Sequence, residues 1–506
     1  MHRTQRSCPG FAGVLLLAVC LFADGTLCKA ADFGAGTTAS GWAEPAHSQA
    51  LSASIDHKPG PDKGVPIPKT IKRTDTTSDP AGKLSSYQPG GATATAGNAF
   101  FQSLGTNGRS CFSCHSPNDG WSISSADAAA RFKKTNGTDP VFRPVDGATC
   151  PNDDVSTIAA MQQAYKLLLA QGLIRISLAM PALSSLEFSI TSVNDPYNCN
   201  ADPEFGLTSP TTGMVSVYRR PLLATNLKFE NTLMWDGREQ NLASQAAHAT
   251  VIHAQSSAPP DSAELQQIVD FETGIFTAQS RVQGANLASG GAAGGPGALS
   301  TQPFFTGIND PFGRNPNGAA FDPNIFALFD AWASSESGGS SAAKESIERG
   351  AQIFNTRTFT ISGVAGLNDV AGQTSITGTC GTCHDTPNVG NQSVQGTMDI
   401  GTSNPLLIGS NTLPLPAFTI HCDAGPLAGQ TFVTTDPGRA LVTGQCEDIG
   451  KVKVPALRGF AARAPYFHNG SAPDASAILS FYMRRFPSFE LTAQQMTDLE
   501  NFLNSL

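Results

Sequence analysis

The chain has 506 residues, room for two to four ordinary domains. Its formal net charge is -9, only 14% of residues are charged, and no basic run follows a phosphate backbone, so nucleic acid is excluded as a partner. Its 50 glycines and 34 prolines call for much loop.

Residues 1–30 read as an export signal. Arg3 and Arg6 supply positive charge, "FAGVLLLAVCLFA" supplies an apolar core too short for a membrane span, and processing falls after Ala30. Cys8, Cys20 and Cys28 leave with this segment, and neither Cys20 nor Cys28 sits in a good lipobox. The mature chain is expected in the periplasm, without an integral membrane span. Residues 31–90 are rich in Ala, Gly, Ser, Thr, Pro and Lys and lack apolar periodicity. They read as a disordered low-complexity arm, with His47 and His57 exposed to solvent.

A first region spans 91–225. "AGNAFFQSLGTNGRSCFSCH" predicts a helix and a Gly-rich turn, and "DVSTIAAMQQAYKLLLAQGLI" (154–174) predicts a helix ending near a glycine. A connecting segment, 226–339, holds helical "REQNLASQAAHATVIHAQ" and flexible "ASGGAAGGPG" (288–297). A second region, 340–506, opens with helical "AAKESIERGAQIFN" (342–355). It closes on amphipathic "LTAQQMTDLENFLNSL" (491–506), with Thr492 as N-cap and Gln495 three residues on. Strand signals are weak and scattered, so the fold class is mainly α with long loops.

"SCFSCHSP" (110–117) and "TCGTCHDT" (379–386) both contain C-x-x-C-H. Two cysteines three apart can serve redox or zinc chemistry, but a histidine immediately after them marks a c-type haem attachment. Two thiols at fixed separation take the thioether links, and the histidine reaches the iron from the same turn. Two covalently bound haem c groups are therefore expected: Cys111, Cys114 and His115 hold the first, and Cys380, Cys383 and His384 the second. Four further cysteines remain after export. Nearest-neighbour pairing gives Cys150–Cys199 and Cys422–Cys446, suited to an oxidising compartment. Strong ligands on both faces of both irons would make an electron carrier, whereas an open iron would do chemistry on peroxide or oxygen. Only His248, His253, His421 and His468 remain in the body of the chain, and none lies between His115 and His248.

Two further stretches carry a family resemblance. "NTLMWDGREQNLASQA" (231–246) resembles the interhaem stretch of bacterial dihaem cytochrome c peroxidases, and "VKVPALRGFAARAPYFHNGS" (452–471) resembles their second-domain signature. The family includes MauG-like enzymes, which use high-valent iron to oxidise another protein. The resemblance implies two c-type cytochrome domains with one covalent haem each. It makes Trp235 the tryptophan between the haems and Gln245 the distal glutamine. Ten residues beyond Gln245 the family has a catalytic glutamate; here Gln255 stands there, and an amide cannot exchange a proton as a carboxylate does. His253 is the candidate replacement, with axial ligation of haem one or simple packing as the other readings. His248 is the runner-up, and Glu239 and Glu272 are weaker carboxylate substitutes.

Fourteen residues after His468 the family's peroxidases place a methionine ligand of the second haem, and MauG-like members a tyrosine. This sequence has Tyr482 there and Met483 next to it, so both stay open as iron ligands, with His468 or none of the three as the remaining readings. His468 orders its loop, and Arg458 contacts a haem propionate or serves the structure. An interdomain calcium is implied by the family alone, since no acidic calcium loop is present. The resulting expectation is a dihaem peroxidase. It would reduce hydrogen peroxide at haem one and pass oxidising equivalents through Trp235 to haem two. A small redox protein or an oxidisable protein substrate would return the electrons. The rivals are a dihaem oxidase or oxygenase acting on a protein or organic substrate, and a dihaem electron-transfer protein.

Overall fold

The computed structural model describes residues 64–333, 341–390, 396–408 and 413–506. The export segment, its cysteines, His47 and His57 lie outside the described residues. The described residues belong to one compact unit.

The first third runs through strands β1 (Thr70–Ile71), β2 (Thr74–Asp79), β3 (Gly82–Tyr87) and β4 (Thr93–Ala94), then helices α1 (Ser125–Thr135), α2 (Ile158–Ala164) and α3 (Lys166–Gln171). Strands β5 (Ile174–Ala179), β6 (Phe188–Asn194), β7 (Leu207–Ser209) and β8 (Thr212–Arg219) follow. The middle holds α4 (Leu242–His253), α5 (Ser262–Gly274), β9 (Phe276–Val282), β10 (Ala285–Asn286) and α6 (Pro296–Ser300). The last third contains α7 (Ala342–Thr356), β11 (Phe359–Ser362), β12 (Ser375–Gly378), β13 (Thr397–Met398), β14 (Ala417–Cys422) and β15 (Thr431–Thr434). It ends with α8 (Ala440–Thr443), β16 (Val452–Lys453), α9 (Ala475–Arg485) and α10 (Ala493–Leu503).

The fold is mixed α/β, which corrects the mainly α expectation. Strands that do alternate, such as β5 and β14, run only six residues, and β2 (TDTTSD) and β3 (GKLSSY) are rich in Ser and Thr and lack the apolar alternation that marks a half-buried strand. Hydroxyl pairs add to their backbone ladders. Thr76 Oγ1 lies 2.8 Å from Ser85 Oγ, and Ser86 Oγ 2.8 Å from Thr277 Oγ1. Those pairs stitch β2 and β3 onto β9 in a sheet of order β10-β9-β3-β2. Residues 70–87, assigned to the disordered arm, are thus part of the folded body. Two three-stranded sheets, β5-β8-β7 and β15-β14-β6, share an apolar core. In the second of these, β6 pairs with β14 from the far end of the chain.

Several helices follow the sequence expectation. α4 and α7 occupy the expected stretches, and α10 starts with Thr492 Oγ1 accepting from Gln495 N at 3.2 Å. α7 and α10 lie so close that a Cβ on Gly350 would sit 2.0 Å from the Asp498 carbonyl oxygen. The 154–174 helix breaks into α2 and α3 at buried Tyr165 and stops at Gly172 (φ +63°). Ahead of the first C-x-x-C-H only a single tight turn, Ala99–Phe101, replaces the expected helix. The "ASGGAAGGPG" stretch is packed rather than free: Trp332 Nε1 donates to Ser289 O at 2.9 Å, and Gly294 lies against Leu287. Both expected disulfides, Cys150–Cys199 and Cys422–Cys446, are present. Among the described residues no helix is long and apolar enough to cross a membrane.

Candidate active site

Each C-x-x-C-H folds as one tight turn. His115 N donates to Cys111 O at 3.0 Å, and His384 N donates to Cys380 O at 2.9 Å. A hydroxyl two residues before each histidine accepts from the main chain ahead of its turn: Ser110 N to Ser113 Oγ and Thr379 N to Thr382 Oγ1, both 3.0 Å. Both imidazoles are then oriented by a carbonyl. His115 Nδ1 donates to Trp121 O at 2.9 Å, and His384 Nδ1 donates to Val389 O at 3.2 Å. The two acceptor residues have left-handed backbones, φ +62° at Trp121 and +55° at Val389. For a bulky or β-branched residue this is a strained conformation, kept where the surroundings impose it. With Nδ1–H donated, Nε2 carries the free lone pair, the arrangement an iron-ligating histidine needs. Burial lowers both pKa values, His384 to about 4, so both rings are neutral near pH 7.

Each turn lines a cavity of about 180 Å³. The first cavity holds Cys111, Cys114 and His115 together with Gln245 and His253. The second holds Cys380, Cys383, His384 and Tyr482. The thiols are half-buried against their cavities, and desolvation pushes Cys380 and Cys383 up to about 12. Among the described residues no cluster of three or more His, Cys, Asp or Glu forms a bare-ion site.

One wall is common to both cavities. Arg220, Trp235, Lys453 and Arg463 line each of them. Trp235 Nε1 donates to Arg220 O at 2.7 Å, and its ring centroid is 5.9 Å from that of His468. Arg220 and Arg463 form no salt bridge among the described residues. Their guanidiniums donate to main-chain carbonyls, such as Arg220 Nη2 to Arg463 O at 2.8 Å. Burial lowers both to about 10. Buried guanidiniums without carboxylate partners are costly unless anions reach them. Two apolar cavities, each with paired thiols and a bare Nε2 and with cations on a shared wall, have the side chains that a covalently held haem and its carboxylates would need.

The wall is anchored by a buried ion network. Arg219 Nη1 reaches Asp236 at 2.5 Å, and its Nε reaches Asp436 at 2.6 Å. Against the upward push of burial, Arg238 and Arg219 hold Asp236 down at about 2. His468 is fully buried, 3.7 Å from Asp436, lines the second cavity, and is lowered by burial to about 4.

A repeat absent from the sequence reading becomes visible here. Leu233–Gly237 and Tyr466–Gly470 adopt the same turn, with φ +63° at Met234 and +64° at Phe467. Both are closed by an isolated bridge, Leu233 with Glu239 and Tyr466 with Ala472. Both lead into a capped helix: Asn241 accepts from Ser244 N, and Asp474 from Ala477 N, each at 2.8 Å. Position for position, Trp235 matches His468, Gln245 matches Ile478, Ala249 matches Tyr482 and His253 matches Phe486. All eight line their own cavity or the shared wall. Where Tyr482 lines the second cavity, the first has the methyl group of Ala249.

The expected site residues are dispersed as follows. Gln245 and His253 face the first cavity and Tyr482 the second, whereas Met483 lines neither and packs against the second core. Gln255, φ +55°, lines neither cavity; its Oε1 accepts from Asn107 Nδ2 at 3.2 Å. Arg458 also lines neither cavity, and its guanidinium donates to Pro387 O at 3.0 Å, so it braces the turn after His384. His248 is exposed and bonded to Glu239 at 2.8 Å. Glu272, ranked low from sequence, lines the first cavity with Oε2 unpartnered, and burial pushes it up to about 8. Asp146 went unnoticed altogether, in a loop with no motif. Its Oδ2 is 2.6 Å from His253 Nδ1.

No protein-family model matches the chain. Over 75 residues, 15% of this chain, the sequence is 38% identical to "Cytochrome c peroxidase Ccp" of Escherichia coli (strain K12). The match spans 16% of that relative's length. A solved structure titled as a MauG-like protein associated with microbial copper homeostasis aligns with TM-score 0.30 at 15% identity, over 58% of this chain and 74% of that one. The chain thus has a partial, distant relationship to a cytochrome c peroxidase over those 75 residues.

Proposed function

We propose that this chain is a dihaem c-type peroxidase of the MauG-like kind, with its first haem region at 91–225 and its second at 340–506. The carrying observation is the repeat: the position that holds Tyr482 in the second cavity holds Ala249 in the first. Tyr482 is within reach of a group held by Cys380, Cys383 and His384, whereas the first cavity keeps room for a small ligand.

Cys111 and Cys114 would hold the first haem and His115 its iron; Cys380, Cys383, His384 and Tyr482 would do so for the second. Arg220 and Arg463 would meet haem carboxylates, whereas Lys453 is already paired with Glu230. The haems supply the redox equivalents that cleave peroxide. The chain does the rest. The apolar walls exclude water. Gln245 offers an amide to position peroxide by hydrogen bonding, and His253 Nε2 takes its proton. Trp235, on the shared wall, is the path for charge between the cavities. Electrons return from a small redox protein or from an oxidisable protein substrate.

Stopped-flow mixing of the fully oxidised protein with hydrogen peroxide, followed by low-temperature EPR, tests this. The expected result is one high-spin and one low-spin ferric signal at rest, both diminished by stoichiometric peroxide without prior reduction. Two low-spin signals and no reaction in any redox state would leave an electron carrier instead.

A further inference from the structure

His253 is the last residue of α4, and three elements converge on it. Its Nδ1 lies 2.6 Å from Asp146 Oδ2. The other carboxylate oxygen, Oδ1, takes Arg109 Nη1 at 2.6 Å. Arg109 stands two residues before Cys111 and is fully engaged. Its Nε donates to Pro140 O at 2.8 Å, Nη2 to Val141 O at 2.7 Å, and Nη1 also to the His253 carbonyl at 3.2 Å. The loop before the motif is pressed onto the end of α4, since a Cβ on Gly105 would meet Ala254 O at 1.8 Å. Asp146 and Arg109 are buried, and Asp146, Arg109 and His253 all line the first cavity.

We propose that Asp146, itself fixed by Arg109, is a positioning residue that sets the tautomer of His253 and leaves Nε2 as the bare nitrogen available to a protic ligand in the first cavity. This rests on the peroxidase reading above. A carboxylate only accepts hydrogen bonds. Burial pushes Asp146 up, but Arg109 and the His253 bond outweigh it and hold it at about 2, so it is anionic throughout the working range. Nδ1 must then be the protonated nitrogen, and Nε2 the acceptor. When hydrogen peroxide enters, the Nε2 lone pair forms an N–H bond and one O–H bond breaks. Its electron pair stays on the hydroperoxide anion, and the positive charge on the ring is balanced by Asp146. Gln255, which stands where a carboxylate would be expected, is bypassed: the carboxylate comes from another loop and acts through the histidine.

Cyanide is a suitable probe, because it arrives as HCN and must also give up a proton. Its association with the ferric holoprotein is measured by stopped flow for wild type, D146N, H253Q and the double variant, with melting curves for each. D146N keeps the shape of the side chain, but its amide can donate to Nδ1 and so select the other tautomer. Both single variants are expected to bind cyanide about 100-fold more slowly, the scale of general acid–base catalysis. The double variant should be no slower than H253Q alone, because Asp146 acts only through His253. If D146N does not fold, D146E keeps the charge one methylene displaced and should show the same non-additivity. A wild-type rate in D146N, or losses that multiply in the double variant, overturns the assignment to Asp146. A wild-type protein that binds no cyanide overturns the peroxidase reading itself, and the inference with it.

Discussion

The two C-x-x-C-H turns are built alike and face cavities of equal volume, yet the helices over them differ at three matched positions. Gln245, Ala249 and His253 stand over the first; Ile478, Tyr482 and Phe486 stand over the second. One helix offers an amide, a gap and an imidazole. The other offers a branched alkyl, a phenol and a phenyl ring. The same backbone frame thus lines one cavity with an amide and an imidazole and the other with apolar and aromatic side chains. Side chains on a shared scaffold, not the scaffold, separate their chemistry.

The largest effect is expected from filling the gap. Ala249→Tyr copies the second cavity into the first. Peroxide consumption should fall to background, and the high-spin EPR signal should be lost. Turnover that survives at wild-type rate would mean that Ala249 does not set the difference. Next comes the reverse side. On the proposed reading, Tyr482→Met exchanges an oxygen ligand for a thioether that favours reduced iron. A redox titration should show the second haem's potential rising by on the order of 0.1 V, within the span of about 0.8 V that axial ligands cover. An unmoved potential would remove Tyr482 from the ligand set.

Much of this was legible in the sequence. Both C-x-x-C-H turns, the helices α4, α7 and α10, and both disulfides sit where local pattern placed them. The strands were hidden because Ser and Thr, not alternating apolar residues, carry β2 and β3. Gln245 and His253 could be chosen by spacing. Asp146 could not, because its partners Arg109 and His253 are separated from it by 37 and 107 residues. Ala249 was invisible for a different reason: it matters by what it lacks, and an alanine in a helix gives no signal until the matching tyrosine is seen. Gln255 was placed by counting along a helix that in fact ends at His253.

A smaller effect concerns the buried acid that only the first cavity has. Glu272 is pushed up to about 8 by burial, from an ordinary value near 4.5. The folded protein therefore keeps a proton that the unfolded chain releases as pH rises through about 4.5. This contribution is fully present below that pH and is lost as pH rises through 8. At pH 7 it amounts to about 3 kcal/mol of stability forgone. Glu272→Gln carries no titrating group and should flatten the dependence. Denaturant unfolding between pH 5 and 8 reads it directly, and an equal slope in both proteins would place the cost elsewhere.

The smallest effect separates the two disulfides. Cys150–Cys199 closes 49 residues and Cys422–Cys446 closes 24. Loop-closure entropy alone gives about 4 kcal/mol for the first and about 3.5 for the second, a difference of about 0.6 kcal/mol. Paired Cys→Ser replacements should therefore lower stability by similar amounts, slightly more for the longer loop. Function should divide them more sharply. Cys150 lies four residues beyond Asp146, in the loop that supports His253, whereas Cys446 follows α8, under the sheet formed by β6 and β14. Loosening the first bridge should slow cyanide association at the first cavity as D146N does, while loosening the second should leave that rate unchanged. Equal slowing in both would mean that the disulfides act through global stability alone, and that the first cavity owes its orientation to the Arg109 contacts rather than to the bridge.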